Sequence, residues 1–258
     1  MRIRKYQLDC CSRYKSEIGY PAHYTYLSGA PIKVHVPIET PLNKVMIVGA
    51  YPSARFFTVD GPRGKVTNTP MEDHDSPFSN ETYFDGSRVR TIPSGKELDE
   101  VILQKIDVKR EDCWITDLVK VFLFKEGHIE RYRKLGKTNM KANRNKFKDY
   151  AKLSLPFLYE EIDICNPYVI ILLGQEVLQA VFGISASKAL TYLDGAVREI
   201  EVNGRQRNVI FLPHPGILMK KTDRNPWPAR FEREIAITAS LENQKLKIRE
   251  LKFVLCRE

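Results

Sequence analysis

The chain has 258 residues, with 41 Lys and Arg against 32 Asp and Glu, a formal net charge of +9. No apolar run approaches the length of a membrane span and no charged segment followed by an apolar one opens the chain, so a soluble protein with no membrane partner is expected. Excess positive charge suits a polyanionic partner such as nucleic acid, and equally a merely solvated basic surface. Cys10, Cys11, Cys113, Cys165 and Cys256 form no regular framework and no zinc spacing. That suits a reducing, cytoplasmic compartment and predicts no metal site.

The first 43 residues hold Tyr14, Tyr20, Tyr24 and Tyr26 among prolines and are expected to form a loop-rich arm lying on a core over 44–247. Together they make one domain over 1–258. Lys44 to Ala50 is a short apolar run ending in Gly, the pattern of a buried parallel strand. Tyr51 to Pro93 is rich in Gly, Pro, Asp and Asn and is expected to be irregular; a loop that long is usually functional. Ser94 with Glu97 three residues on predicts a capping box that opens a helix through Leu98, Val101, Ile102 and Ile106. Cys113 to Leu118 is a second strand. The basic stretch 131–152 leads into a helix ending at Ile164. Tyr168 to Leu173 is a third strand, with Gly174 opening the next helix. Glu199 to Val202, Asn203-Gly204 and Arg207 to Leu212 form a hairpin whose second arm is the fourth core strand. A last helix is expected over Pro228 to Lys247.

Strands alternating with helices predict an α/β fold, a three-layer α/β/α sandwich around a central, mainly parallel four-stranded sheet. Ligands of such sheets bind beyond the carboxyl ends of the strands. The loops after Ala50, Asp117, Leu173 and Leu212 therefore belong together.

Three of those loops carry recognisable text. Gly49-Ala50-Tyr51-Pro52-Ser53 resembles the Gly-x-x-Pro motif of the uracil-DNA glycosylase superfamily. Ile115-Thr116-Asp117-Leu118-Val119-Lys120 is similar to the Ile-Thr-Asn-x-Val-Lys segment of its iron–sulfur branch, and His214-Pro215-Gly216-Ile217-Leu218 to its His-Pro-Ser loop. Ser94 to Glu100, and Asn166 to Ile170 with Leu173-Gly174, agree with the text between, so the resemblance runs in order over roughly residues 44–235. It implies a monomeric enzyme that binds DNA, flips a nucleotide from the stack and hydrolyses its N-glycosidic bond, leaving an abasic site for repair.

The resemblance also assigns roles. His214 stands where the family's histidine donates to O2 of the departing base, a bond that strengthens as charge moves onto the base. Phe78 resembles a ring that stacks on the flipped base, or else a core Phe. Tyr51 lies at the base pocket, and Ser53 and Gly216 at the DNA backbone. Leu218 stands where the family's wedge leucine would, or is a core leucine. Lys220, Lys221 and Arg224 follow as phosphate clamps, or as a solvated turn. Lys141 and Arg144 in the basic stretch are expected to track phosphates, unless that stretch is only a charged helix face.

Two departures from the family pattern matter. Uracil-excising relatives have Asn where this chain has Asp117. An ionised Asp only accepts hydrogen bonds, which opposes uracil O4 but suits the N4 amino group of cytosine. Asp117 thus favours a modified cytosine, as in foreign or viral DNA, over uracil, unless it merely caps the following turn. An enzyme cutting ordinary cytosine would destroy its own genome, so a further handle such as a C5 substituent is required. Secondly, Ala50 and Tyr51 stand where relatives place the residue that positions the attacking water. Asp60, Asp73, Asp75 and Asp85 are available as substitutes, with Asp60 and Asp85 foremost, or are only loop carboxylates. A catalytically inactive DNA-binding module is the reading those missing groups favour. Val121 and Ser154 stand at two of the iron–sulfur branch's cysteine positions, so no cofactor is expected.

Overall fold

The computed structural model describes residues 2–137, 139–220 and 222–240. Helix α1 (Arg2–Glu17) precedes β1 (Val45–Gly49). Two hairpins follow, β2 (Ala54–Gly61) with β3 (Gly64–Asp73), and β4 (Thr82–Phe84) with β5 (Val89–Thr91). Then come α2 (Pro93–Glu97), β6 (Cys113–Asp117), α3 (Glu126–Lys134), α4 (Phe147–Cys165), β7 (Val169–Leu173), α5 (Gln175–Phe182), α6 (Ala186–Thr191), β8 (Val197–Val202), β9 (Arg205–Leu212) and α7 (Pro215–Leu218).

The central sheet has the order β6-β1-β7-β9-β8. Its first four strands are parallel, as the sequence predicts, and β8 adds a fifth, antiparallel edge through the Asn203-Gly204 turn. Both turn residues have positive φ (50° and 74°), the geometry a two-residue hairpin of this hand requires. Side-chain alternation splits the core in two. Met46, Val48, Trp114, Ile170, Leu172, Val209 and Phe211 face one cluster with α1, α4 and α5. Val45, Ile47, Ile115, Ile171, Ile210 and Leu212 face the other, with Leu98, Ile102, Phe231 and Ile235. Burial on both faces explains why these strands are continuous apolar runs rather than alternating ones. Among the described residues no helix is long and apolar enough to cross a membrane.

Four expectations need correction. The N-terminal arm opens with a helix, α1, whose Tyr6, Cys10 and Tyr14 recur every four residues and are buried. The stretch 51–93 is largely two hairpins, the first spanning Ala54–Gly61 and Gly64–Asp73. α2 begins one residue early at Pro93, and its N-cap, Ile92, makes no side-chain cap bond, so Ser94 and Glu97 form no capping box. Lastly, the C-terminal helix is broken into short pieces over Trp227–Arg230, Phe231–Ile235 and Ala236–Ala239, and its expected extension to Lys247 lies outside the described residues.

Helix α1 completes a polar network inside the fold. Tyr6 donates to Glu161 Oε1 at 2.6 Å, and Glu161 pairs with the fully buried Lys120 at 2.7 Å. Lys120 also donates to Thr116 Oγ1 and to the Asp117 carbonyl. The Tyr14 hydroxyl accepts from the Lys120 amide at 2.8 Å and bonds Ser154 at 2.6 Å. Ser154 is thus tied to α1 by a hydroxyl pair. Cys10 is buried on the inner face of α1 and Cys11 is exposed. Tyr14→Phe strands the Lys120 amide, while Ser154 keeps its bond to the Tyr150 carbonyl, and is expected to cost about 2 kcal/mol. Thermal unfolding should record this as a fall in Tm of about 5 °C; an unchanged Tm would remove α1 from the support of the β6 loop.

Candidate active site

Parallel pairing places Gly49 of β1 beside Asp117 of β6. The loops beyond them are sewn together, because Leu118 and Val119 donate their amides to the carbonyls of Gly49 and Ala50. On the other side Gly174 donates to the Leu212 carbonyl at 2.8 Å, with a φ of +89°. A side chain on Gly174 would press on His214, so Gly there lets the His214 loop close over the sheet edge. The result is one hollow of about 400 Å³ lined by Tyr51, Ser53, Phe78, Asp117, Arg144, His214 and Gly216. Seven of the residues anticipated from sequence therefore converge.

Phe78 is held in a strained state. Its φ is +51°, costly for a residue with a Cβ. Arg110 donates to its carbonyl at 2.9 Å, and Gly95 packs so closely on the Phe78–Ser79 backbone that a methyl group there would collide with it. The ring lies 6.2 Å from that of His214, centroid to centroid. A methyl built on Gly49 would overlap both the Phe78 ring and Asp117 Oδ1. Gly49→Ala is therefore expected to destabilise the fold by about 1–3 kcal/mol and to distort the hollow. Denaturant midpoints measure the first effect; a midpoint equal to wild type would contradict the close approach.

Asp117 is 1 % exposed and neither carboxyl oxygen has a partner among the described residues. Burial pushes its carboxyl up to about 7; Lys120 pulls the other way, and Glu161 adds to the rise. Burial is the largest of the three effects. His214 accepts from the Gly216 amide at Nδ1 (3.0 Å), capping α7 with its ring. Burial and the charge of Lys125 lower its pKa to about 4 despite the opposing Glu176. At neutral pH the ring is therefore uncharged with its proton on Nε2, a donor by construction.

Arg144 is not a free phosphate clamp. It donates to the Tyr51 hydroxyl at 2.8 Å, lies 4.6 Å over that ring, and pairs with Glu176 at the start of α5. It fixes Tyr51 in the wall. Lys141, Lys220 and Arg224 are exposed, whereas Lys221 lies outside the described residues.

Leu218, the expected wedge, is 3 % exposed and packs in the second core cluster, because α7 turns it inward. Met219, 45 % exposed, is the apolar side chain this loop presents. The loop carboxylates are also elsewhere. Asp60 is exposed near the tip of the first hairpin, paired across it with Lys65. Asp85 is buried in its own turn. Burial opposes its charge, but the Arg88 amide, the Ser87 hydroxyl and amide and Arg90 outweigh that and hold it below the usual carboxylate range. Asp73 accepts from Tyr26, the Lys33 amide and His35, and Asp75 from Arg55. None of the four lines the hollow.

The sequence reading missed His74, Lys125, His128 and Glu176, which complete the wall. No local signal marks them; His74 hides in an acidic run and His128 in an ordinary amphipathic helix. His128 accepts from the Lys125 amide at Nδ1 and stacks on Phe122 at 5.4 Å. Burial, then Lys125 and Arg131, lower its pKa to about 4. Glu97, expected as a cap, is 5 % exposed with both oxygens unpartnered among the described residues, and burial raises it to about 7. It lines an adjoining hollow of about 480 Å³ that shares Ser53, Ser94, His214 and Gly216 with the first.

A hollow at the carboxyl ends of four parallel strands, with an aromatic platform, a buried carboxyl and a histidine held as a donor, matches what the motifs imply. The family model for the uracil DNA glycosylase superfamily matches residues 37–235. The chain belongs to the uracil-DNA glycosylase superfamily. No curated protein sequence matches it. Within the superfamily match lie all three strand-end motifs and both hairpins; α1 lies outside it.

Proposed function

We propose that this protein is a DNA glycosylase that takes a flipped nucleotide into the hollow and hydrolyses its N-glycosidic bond. The observation that carries the reading is the convergence of Tyr51, Phe78, Asp117 and His214 on one cavity of nucleotide size. Phe78 stacks on the base, Asp117 meets its Watson–Crick edge, and His214 Nε2–H donates to O2 as negative charge grows on the leaving group. Ser53 and Gly216 at the mouth meet the flanking backbone, with Lys141, Lys220 and Arg224 beyond them as phosphate partners.

The base we propose is a modified cytosine. With its carboxyl near half-ionised at neutral pH, Asp117 has two forms to offer. The neutral form donates to cytosine N3 and accepts from the N4 amino group, and it fits uracil equally. The ionised form accepts two bonds from an N3-protonated cytosine, through N3–H and the N4 amino group, whereas with uracil it accepts only from N3–H and faces O4 with repulsion. Summed over both forms, cytosine is favoured. Room for a C5 substituent is available in the adjoining hollow beside Glu97, and such a substituent spares the host's own cytosine. Foreign DNA carrying enlarged cytosines is the corresponding target.

Mass detection of free base released from oligonucleotides containing uracil, cytosine and C5-enlarged cytosines tests both levels. Release of an enlarged cytosine alone is the expected result. Release of uracil alone would end the cytosine reading, and release of nothing would leave a DNA-binding module. Asp117→Asn, whose amide carries no charge, should shift preference towards uracil, most clearly at pH 8.

A further inference from the structure

Hydrolysis needs a water held against C1′ on the side away from the departing base, and a group that accepts its proton. The loop after β1 supplies no such acceptor. Ala50 has no polar side chain, and the Tyr51 hydroxyl is occupied by Arg144. His214 and His128 each spend Nδ1 on accepting a backbone amide, so their remaining nitrogen carries hydrogen and only donates. Glu176 is paired with Arg144.

His74 is arranged the other way round. It lines the hollow, is 2 % exposed, and its Nε2 has no partner among the described residues. A backbone hydrogen bond with Ala54 raises the ring's pKa, as donation from a ring N–H to a carbonyl does, and with Nε2 unpartnered among the described residues the donor is Nδ1. A carbonyl there fixes the proton on Nδ1 and leaves a lone pair on Nε2. Ala54 opens β2 directly after the first motif, and His74 follows the end of β3, so the hairpin that replaces the expected irregular loop is what carries the ring to the wall.

Resting on the glycosylase reading above, we propose that His74 Nε2 accepts a hydrogen bond from the hydrolytic water and takes its proton as the C1′–O bond forms. The C1′–N bond breaks with its electron pair going to the base, which His214 steadies. The water oxygen bonds C1′, its proton passes to Nε2, and the imidazolium returns that proton to solvent. Water attacking an oxocarbenium-like carbon becomes strongly acidic, so a weak base suffices. Burial, then the neighbouring His35 and Arg55, lower the ring's pKa to about 4, which keeps the lone pair free at neutral pH.

Two substitutions in the full-length protein separate this role from a structural one. His74→Asn keeps a donor for the Ala54 carbonyl and removes the distal acceptor. His74→Gln keeps an acceptor near the Nε2 position and gives up the Ala54 bond. Single-turnover release of whichever base the wild type frees should fall about 100-fold or more in His74→Asn and less than tenfold in His74→Gln. DNA affinity should stay within about threefold for both, as acid–base roles leave binding intact. Any pattern in which His74→Asn is not the slower variant, or in which its DNA affinity falls in step with its rate, overturns the proposal. So does a loss of that size in Glu176→Gln with His74→Asn unaffected, which would give the water to Glu176. If the wild type releases no base at all, the glycosylase reading fails and this role fails with it.

Discussion

Replacing His214 with alanine is expected to slow single-turnover base release about 100- to 1000-fold while leaving DNA affinity nearly unchanged. The size follows from what the ring offers. Its Nδ1 is committed to the Gly216 amide at 3.0 Å, so Nε2–H is fixed before substrate arrives and nothing reorganises during the reaction. A preorganised donor aimed at a growing negative charge is worth about 3–4 kcal/mol at the transition state and little in the ground state. The pH dependence follows too. The ring titrates near 4, so this donor should be constant from pH 6 to 9, and any inflection in that range belongs to another group. A rate within tenfold of wild type for His214→Ala would sink the assignment, and loss of DNA binding in step with rate would make the residue structural.

The second large effect concerns stability. Asp117→Asn is isosteric and is expected to stabilise the folded protein at pH 8 by on the order of 4 kcal/mol, a rise in Tm of about 10 °C. Burial raises the Asp117 carboxyl from an ordinary 3.8 to about 7. In the folded state it therefore holds its proton through a range where the unfolded chain has already released it. Stability from this group is present at pH 4 and lost as pH rises towards and through about 7. Asparagine has no such titration. The two proteins should match closely at pH 4, diverge between pH 4 and 7, and keep a constant gap above that. Equal Tm differences at pH 4 and pH 8 would show that the carboxyl is not titrating as described. A buried carboxyl held at such a cost in a pocket wall, with both oxygens unpartnered among the described residues, is the observation behind the base-reading role proposed for Asp117.

Read together, the two variants separate chemistry from recognition. His214→Ala removes a donor needed for any pyrimidine, so every released base should suffer alike. Asp117→Asn changes the partner of the Watson–Crick edge, so the released bases should suffer unequally.

The parallel sheet was legible in the sequence because strands buried on both faces must be short, continuous and apolar, as Val45–Gly49 and Val169–Leu173 are. Three of the four parallel strands end at a motif, so the convergence of Tyr51, Asp117 and His214 followed from topology alone. Local chemistry also foretold the Asn203-Gly204 turn. Which polar residues enter the hollow was decided only by tertiary structure. The expected Asp60 and Asp85 are spent on a hairpin and a turn, whereas His74, His128 and Glu176 arrive from elements distant in the chain. Leu218 and Met219 are adjacent, and only the direction of α7 determines that the first is buried and the second exposed. A strand's periodicity is written in its own residues, but the inward or outward aim of a loop side chain depends on what packs behind it. For that reason the sheet and its strand-end motifs were given by sequence, while the group that meets the water, and the ionisation of Asp117, depended on burial by the whole fold.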